Sequence, residues 1–375
     1  MAFGKAPDRL TQLDGLRGLG IFLVLAFHFG FGIPGFVLGS PAAYVLSPIV
    51  SLGWSGVDLL FVLSGFLIGG IVISRKPCGQ FYRMFLVRRG ARILPLYFAL
   101  LLLVLLGHEL FLRDVGFFPQ LFAQFAERGS YFLLMQNNRY ALSSADMNAI
   151  SVSWSLAIEF QFYLLFPLLT WGLKAAVPAE RFEPTLILAM LGIVLLAMIL
   201  RAMPLGANQQ DWRFCFTFCR FDALAVGVLI YALRDHPLAV RSFVPLLVFG
   251  GAGAAFLATF RYKGWLGPFL YTDVAFLYGS LLMLALHLPL VNMGLRNSVL
   301  RFFGRISYAL YLFHIPALGI ANGLLYSMDA DVHGQRPLIV TILSLTAAIG
   351  LATLSWSYFE RPLLAWAAGI APYDV

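Results

Sequence analysis

Two side chains that are costly in lipid stand eleven positions apart in the stretch LDGLRGLGIFLVLAFHF, residues 13–29: Arg17 and His28. At 100° per residue, eleven helical steps return to within about 20° of the starting face and rise about 16 Å. One membrane helix would therefore carry a guanidinium at its boundary and an imidazole near the bilayer centre, both on the same side. A guanidinium offers forked donors to phosphate, and an imidazole supplies a general base or a nucleophile. Plainer roles compete with these. Arg17 can snorkel to the interface and pair with Asp14 one turn earlier, and His28 can simply tie two helices together. An ionisable group at mid-membrane depth argues for function at His28.

Further polar residues interrupt other greasy runs. WSGVDLLFVLSGFLIGG puts Asp58 near the outer end of a span, and SVSWSLAIEFQFYLLFPLL does the same with Glu159. Either carboxylate could serve only the positive end of its helix dipole. CRFDALAVGVL carries Arg220 and Asp222 inside a span. Residues two apart lie on different helix faces, so each needs its own partner on a neighbouring helix. RISYALYLFHIPAL places His314 at mid-depth with Tyr308 and Tyr311 six and three residues before it, roughly along one face. The loop SRKPCGQFYRMFLVRRGARILPLY holds six basic residues and no acidic one. Topology and anionic lipid explain most of that charge; the tight set Arg88, Arg89 and Arg92 also suits a phosphate ligand.

The elements that must position these groups are membrane helices. A chain with 60% hydrophobic and 12% charged residues is not a soluble protein. Windows of about 20 apolar residues give spans near 17–37, 54–73, 93–111, 155–173, 184–203, 213–234, 241–260, 269–290, 304–326 and 337–358. The fold class is thus an all-α polytopic membrane protein of about ten transmembrane helices, forming a single domain. Residues 116–135 are too interrupted to span and too apolar for a free loop, which suggests a partial or interfacial helix. Segments on the N-terminal side, with Arg75, Lys76, Arg234, Arg296, Arg301 and Arg305, hold about twice the Lys and Arg of the opposite segments, with Arg113, Arg128, Arg139, Arg201 and Arg213. That bias puts both termini in the cytoplasm and accounts for the net charge of +8 without nucleic acid as a partner. The polar start shows no cleavable signal, and the short tail after the last span leads us to expect no appended soluble domain. Cys78, Cys215 and Cys219 read as ordinary thiols, the last two one helical turn apart, and no metal is expected. Trp54, Trp154, Tyr140 and Trp212 lie near outer span ends and fit an interfacial aromatic belt better than sugar stacking.

With these motifs assembled, the chain resembles the bacterial membrane acyltransferase-3 family. The resemblance rests on LDGLRGLGIFLVLAFHF, WSGVDLLFVLSGFLI, RRGARILPLY, SWSLAIEFQFYLLFPLL, RFDALAVGV, ISYALYLFHIP and SYFERPL, in family order along the whole chain. Members O-acetylate surface polysaccharides such as lipopolysaccharide O-antigen, exopolysaccharides and Nod factors, and some acylate macrolides. The resemblance implies acetyl-CoA as cosubstrate, His28 as the catalytic residue with Arg17 beside it, and Arg89 and Arg92 as residues that hold the donor. The expected location is the bacterial cytoplasmic membrane, whether the inner membrane of a Gram-negative cell or the single membrane of a Gram-positive one.

A path then suggests itself. Phosphate groups held by Arg17, Arg88, Arg89 and Arg92 at the cytoplasmic face would leave a pantetheine arm of roughly 15 Å to reach toward His28. His28 would act as base on an acceptor hydroxyl or would itself carry the acyl group. Glu159 or Asp58 could orient the imidazole or bind the acceptor, a glycan or lipid-linked saccharide. Rival expectations are acylation of a small molecule such as a macrolide, a transporter or flippase, and a non-enzymatic scaffold.

Overall fold

The computed structural model describes residues 10–30, 50–110, 129–130, 133–135, 151–203, 213–236, 269–326 and 338–373. Without water to satisfy peptide groups inside a bilayer, backbone hydrogen bonds must close within each segment, and the described residues contain helices and turns but no strand. The helices are α1 (Thr11–Gly30), α2 (Gly56–Ile73), α3 (Gly79–Leu110), α4 (Trp154–Ala176), α5 (Ala179–Ala202) and α6 (Thr217–Leu233). They continue with α7 (Leu270–His287), the short α8 (Pro289–Leu295), α9 (Ser298–Tyr326), α10 (Leu338–Ser355) and α11 (Arg361–Ile370), with a π turn at Trp356–Glu360 joining the last two. Among the described residues, eight helical segments are long and apolar enough to cross a membrane. The chain is therefore built as a polytopic membrane protein. Leucines such as Leu103, Leu188 and Leu195 point outward and supply an apolar exterior.

Two helix starts differ from the sequence reading for one reason, that polar helix ends read as loops, and one expected span is interrupted. α1 starts at Thr11, six residues before the expected span, so Arg17 lies inside the helix and His28 falls in its last described turn. α3 starts at Gly79, which puts Arg83, Arg88, Arg89 and Arg92 on a helix rather than in a loop. The expected span from 213 breaks at Phe216, whose backbone is extended, so Cys215 and Cys219 do not share one uninterrupted turn. The expected span 241–260, residues 31–37, Tyr140, Trp212 and nearly all of 116–135 lie outside the described residues.

α1 packs between α2 and α9, α2 lies along α6, and α6 is flanked by α5 and α7. Small residues allow these close approaches, as is common where apolar helices associate without a water-driven force. A Cβ on Gly65 of α2 would sit 1.9 Å from the Leu224 carbonyl oxygen of α6, and one on Gly304 of α9 would sit 1.8 Å from the Asp14 carbonyl oxygen of α1. The second contact sets the register of α9 against α1. It decides which side chains of α9 meet His28.

Helix polarity gives the bundle two distinct ends. The start of α1, the ends of α2 and α6 and the start of α9 gather at one end, around Arg17, Arg75, Arg234 and Arg305. The starts of α2, α6 and α7 and the end of α5 gather at the other, around Asp58, Arg220, Asp222 and Arg201.

Candidate active site

His28 on α1 meets His314 on α9, with His314 Nε2 3.3 Å from His28 Nδ1 and the ring centroids 4.9 Å apart. The partners of each ring fix where the protons lie. His314 Nδ1 is 2.7 Å from the Tyr311 carbonyl oxygen and 3.2 Å from that of Leu310. Carbonyls only accept, so this nitrogen carries the proton and Nε2 the lone pair. His28 Nδ1 faces that lone pair and also lies 3.0 Å from the Val24 carbonyl oxygen. Both neighbours accept, so His28 Nδ1 donates and, in the neutral ring, Nε2 keeps the basic lone pair. A fully buried His314 thus holds His28 in the tautomer that a general base or acyl-accepting nucleophile requires.

Beside the histidines runs a narrow cavity of about 80 Å³ whose polar lining includes Arg17, Ser64, Arg89, Arg92, Ser155 and Glu159. Tyr308 and Tyr311 line it as well, and the ring of Tyr311 stands 5.8 Å from that of His314. The histidine pair therefore lies one layer of side chains beyond this lining. Tyr311 Oη donates to the Val152 carbonyl oxygen at 2.8 Å and is 2.8 Å from Ser155 Oγ, while Tyr308 Oη donates to the Ile93 carbonyl oxygen at 2.5 Å. Glu159 sits in the second turn of α4, past the reach of a first-turn dipole role. Its Oε1 accepts from Tyr163 Oη at 2.5 Å and from Ser64 Oγ. Hydroxyl donors on α2 and α4 thus aim the carboxylate along the cavity wall.

The narrow cavity shares Arg17, Leu67, Arg89 and Arg92 with a wide one of about 800 Å³ at the basic end. Asp14 Oδ1 holds Arg17 Nη1 at 3.2 Å, the pairing expected from their spacing. Arg89 leans over the Tyr163 ring at 5.7 Å, and its Nε is buried without a hydrogen-bond partner among the described residues. Arg88 lines neither cavity and stacks over the Tyr373 ring at 4.1 Å. Arg75, Arg234 and Arg305, which sequence reasoning used only to orient the chain, line the wide cavity too. Their one sequence signal was a position at helix ends on the basic side.

At the opposite end, Arg220 and Asp222 find separate partners, as their spacing demands. Arg220 Nη2 donates to Asp58 Oδ1 at 2.7 Å, and Arg201 Nη2 to Asp222 Oδ2 at 2.9 Å, all four side chains being fully buried. Thr272 Oγ1 donates to Asp222 Oδ2 at 2.7 Å, and Arg201 also donates to Thr272 Oγ1 and to the Cys219 carbonyl oxygen. The sequence reading counts Arg201, at the end of the expected span 184–203, among the outer-side basic residues. It does lie in the last turn of α5, but its side chain folds inward to Asp222 rather than outward to the interface. Arg220 stands over the rings of Tyr271 at 4.7 Å, Phe214 at 5.4 Å and Trp154 at 5.8 Å. Trp54 packs 5.5 Å from Tyr271 in the same aromatic box. Trp54 and Trp154 therefore face inward rather than forming a lipid-facing belt. Asp58 also belongs to this box and not to the cavities beside His28.

No solved structure matches this chain. Among curated proteins, the O-acetyltransferase OatA of Staphylococcus aureus is 28% identical, over 96% of this chain and 58% of its own length. The peptidoglycan O-acetyltransferase OatA of Listeria monocytogenes is 25% identical, over 94% of this chain and 56% of its own length. The chain thus spans a little under three fifths of the relatives it matches. The acyltransferase-domain family matches residues 10–359, which takes in the histidine pair, the narrow cavity, the buried ion pairs and all of the wide cavity's lining except Tyr373, and on that match the chain belongs to the acyltransferase-3 family.

Proposed function

We propose that this protein is a membrane O-acetyltransferase of the bacterial cytoplasmic membrane, moving acetyl from acetyl-CoA at the basic end to a hydroxyl of a cell-envelope glycan. One observation carries this reading: the imidazole pair that leaves a basic lone pair on His28 Nε2, on the same helix as an arginine that borders both cavities. Arg17 and His28 differ by about 16 Å in rise, close to the length of a pantetheine arm. The acceptor oxygen attacks the thioester carbonyl, the C–O bond forms, the C–S bond breaks, and the hydroxyl proton passes to His28 Nε2 and then to the departing thiolate. In the two-step variant, His28 Nε2 attacks the thioester carbonyl and the C–S bond breaks to release the thiolate; the acceptor oxygen then attacks the acetyl-imidazole, the C–N bond breaks, and the hydroxyl proton passes by way of the freed Nε2 to the thiolate. Arg17, Arg89 and Arg92 hold the donor, and Glu159, with Ser64 and Tyr163, lines the route of the acyl chain.

By the positive-inside rule, arginines at the ends of α2 and α6 and the start of α9 favour the basic end as the cytoplasmic one. On that orientation α1 starts on the cytoplasmic side, as the proposed topology of about ten spans with both termini inside requires. Family membership favours acyl transfer over the carrier and scaffold readings. The relative from Listeria bears a name that gives peptidoglycan as its glycan, so peptidoglycan belongs first in an acceptor panel, ahead of other envelope polysaccharides and macrolides.

The test is transfer of radiolabelled acetyl from acetyl-CoA in purified membranes, with intact protein and His28→Ala at matched expression. Label should reach a glycan only with the intact protein and only with the donor present. Equal transfer by both proteins would remove His28 from the chemistry, and label on a macrolide but no glycan would replace the acceptor.

A further inference from the structure

The wide cavity is larger than donor capture by Arg17, Arg89 and Arg92 requires, and its outer lining has a chemistry of its own. Six arginines line it (Arg17, Arg75, Arg89, Arg92, Arg234 and Arg305) against two aspartates, Asp14 and Asp235. Each aspartate is already paired, Asp14 with Arg17 and Asp235 with Arg234 at 3.3 Å. A cavity with that excess of cations fits a ligand with several negative charges. Coenzyme A carries roughly four at neutral pH, about two of them on its 3′-phosphate.

The arginines fall into two groups. Arg17, Arg89 and Arg92 stand where the wide cavity meets the narrow one, while Arg75, Arg234 and Arg305 line only the wide one. Arg234 is fixed in advance: it lies 3.8 Å over the Tyr231 ring and donates to the Tyr231 carbonyl oxygen at 2.9 Å. An aromatic surface completes the lining. Trp356 opens the π turn between α10 and α11 and faces the cavity half-buried. A π turn inserts one residue into a helix and re-aims its side chains, and such turns recur at functional sites. Tyr373, braced by Arg88, lines the same cavity.

We propose that the wide cavity is a nucleotide vestibule, in which Arg75, Arg234 and Arg305 hold the 3′-phosphate of the donor and Trp356 is the stacking platform for its adenine. The diphosphate then falls to Arg17, Arg89 and Arg92 at the junction, and only the thin pantetheine arm enters the narrow cavity. This assignment rests on acetyl-CoA as donor and goes beyond it by separating two phosphate stations and naming the base-binding ring. Stacking on an aromatic face is a general means of holding a base.

Calorimetric titration of the detergent-purified full chain with coenzyme A, 3′-dephospho-coenzyme A and 4′-phosphopantetheine tests it. The intact protein should bind coenzyme A at least tenfold tighter than the 3′-dephospho form. Arg305→Gln and Arg234→Gln should each shrink that ratio, with Arg305→Lys restoring part of it. Trp356→Leu should weaken both nucleotides about equally and leave 4′-phosphopantetheine unchanged. Melting curves identify any variant that fails to fold, and the ligand comparison on the intact protein stands without variants. Equal affinity for coenzyme A and its 3′-dephospho form would overturn the vestibule and leave the donor intact. No affinity for coenzyme A at all would overturn the donor reading as well.

Discussion

The two ends of the bundle use the same residue types for opposite purposes. At one end Arg201 and Arg220 are fully buried, each bonded to an aspartate at under 3 Å and enclosed by rings and hydroxyls. At the other, Arg75, Arg89, Arg92, Arg234 and Arg305 face a cavity of about 800 Å³ where arginines outnumber carboxylates. Moving a guanidinium out of water is costly unless a counter-charge waits for it. The closed end matches each guanidinium with a carboxylate of its own chain, whereas the open end pairs Arg17 with Asp14 and Arg234 with Asp235 and still lines its cavity with more arginines than carboxylates. The two sets of arginines thus differ in the number of carboxylates around them and in the space left in front of them.

Breaking the closed end should have the largest effect. Asp222→Asn leaves Arg201 buried without its counter-ion, a loss of about 3–5 kcal/mol, and should abolish folded protein in detergent extracts. The double variant Arg201→Met, Asp222→Leu should recover much of the yield, because two apolar side chains remove both charges together. Arg92→Gln at the open end should melt like the intact protein while losing donor binding. Fluorescence-detected size exclusion after a heating series reads all three, and an Arg92→Gln protein as unstable as Asp222→Asn would erase the distinction.

The sequence carried much of this, unevenly. Arg17 and His28 were legible as one face of one helix because helical spacing is local. Arg220 and Asp222 were legible as a pair that could not pair with each other for the same reason. The partner of Asp222 was not legible: Arg201 ends an apolar run, where a basic residue looks like a loop anchor. The contact between His28 and His314 depends on the register of α9 against α1, set by Gly304 against the Asp14 backbone, which no local pattern encodes. Arg75, Arg234 and Arg305 were visible only as topology signals, because their convergence belongs to three helix ends brought together by folding. The helical starts at Thr11 and Gly79 were hidden by charges that a window method assigns to loops.

The contact between His28 and His314 sharpens the comparison further. Removing His314 should let the His28 ring exchange tautomers, so that Nε2 carries the proton part of the time. His314→Ala is expected to lower kcat by about 100-fold with little change in KM for acetyl-CoA, since His314 lines neither cavity. His314→Gln, whose amide oxygen can take the place of the lone pair, should recover part of the rate. A fall in KM-linked binding with unchanged kcat would assign His314 to the donor site instead.

Salt should separate the ends more gently. Raising sodium chloride from about 0.1 M to about 1 M shortens the screening length from about 10 Å to about 3 Å. Arginines in a water-accessible cavity feel that change, and donor affinity should fall several-fold. Ion pairs sealed from water do not, and the melting temperature should move little. A parallel fall of both would mean that water reaches Arg201 and Arg220.

The smallest expected effect comes from removing single hydroxyls, one at each end. Tyr163→Phe deletes one of the two donors to Glu159 Oε1 and leaves Ser64 in place. A net loss of about 1 kcal/mol in aiming the carboxylate corresponds to roughly fivefold in kcat/KM, with an unchanged melting curve. Thr272→Val deletes a donor to Asp222 Oδ2 and leaves Arg201 in place. The carboxylate there is sealed from water, so the same deletion should cost about 1–3 kcal/mol of stability and leave kcat/KM untouched. The two substitutions remove a hydroxyl each from a carboxylate with a second donor, yet one should register only in rate and the other only in melting. If Thr272→Val slows turnover in a protein that melts normally, the closed end takes part in catalysis, and Asp58 and Asp222 would have to be reconsidered as groups that meet the acceptor.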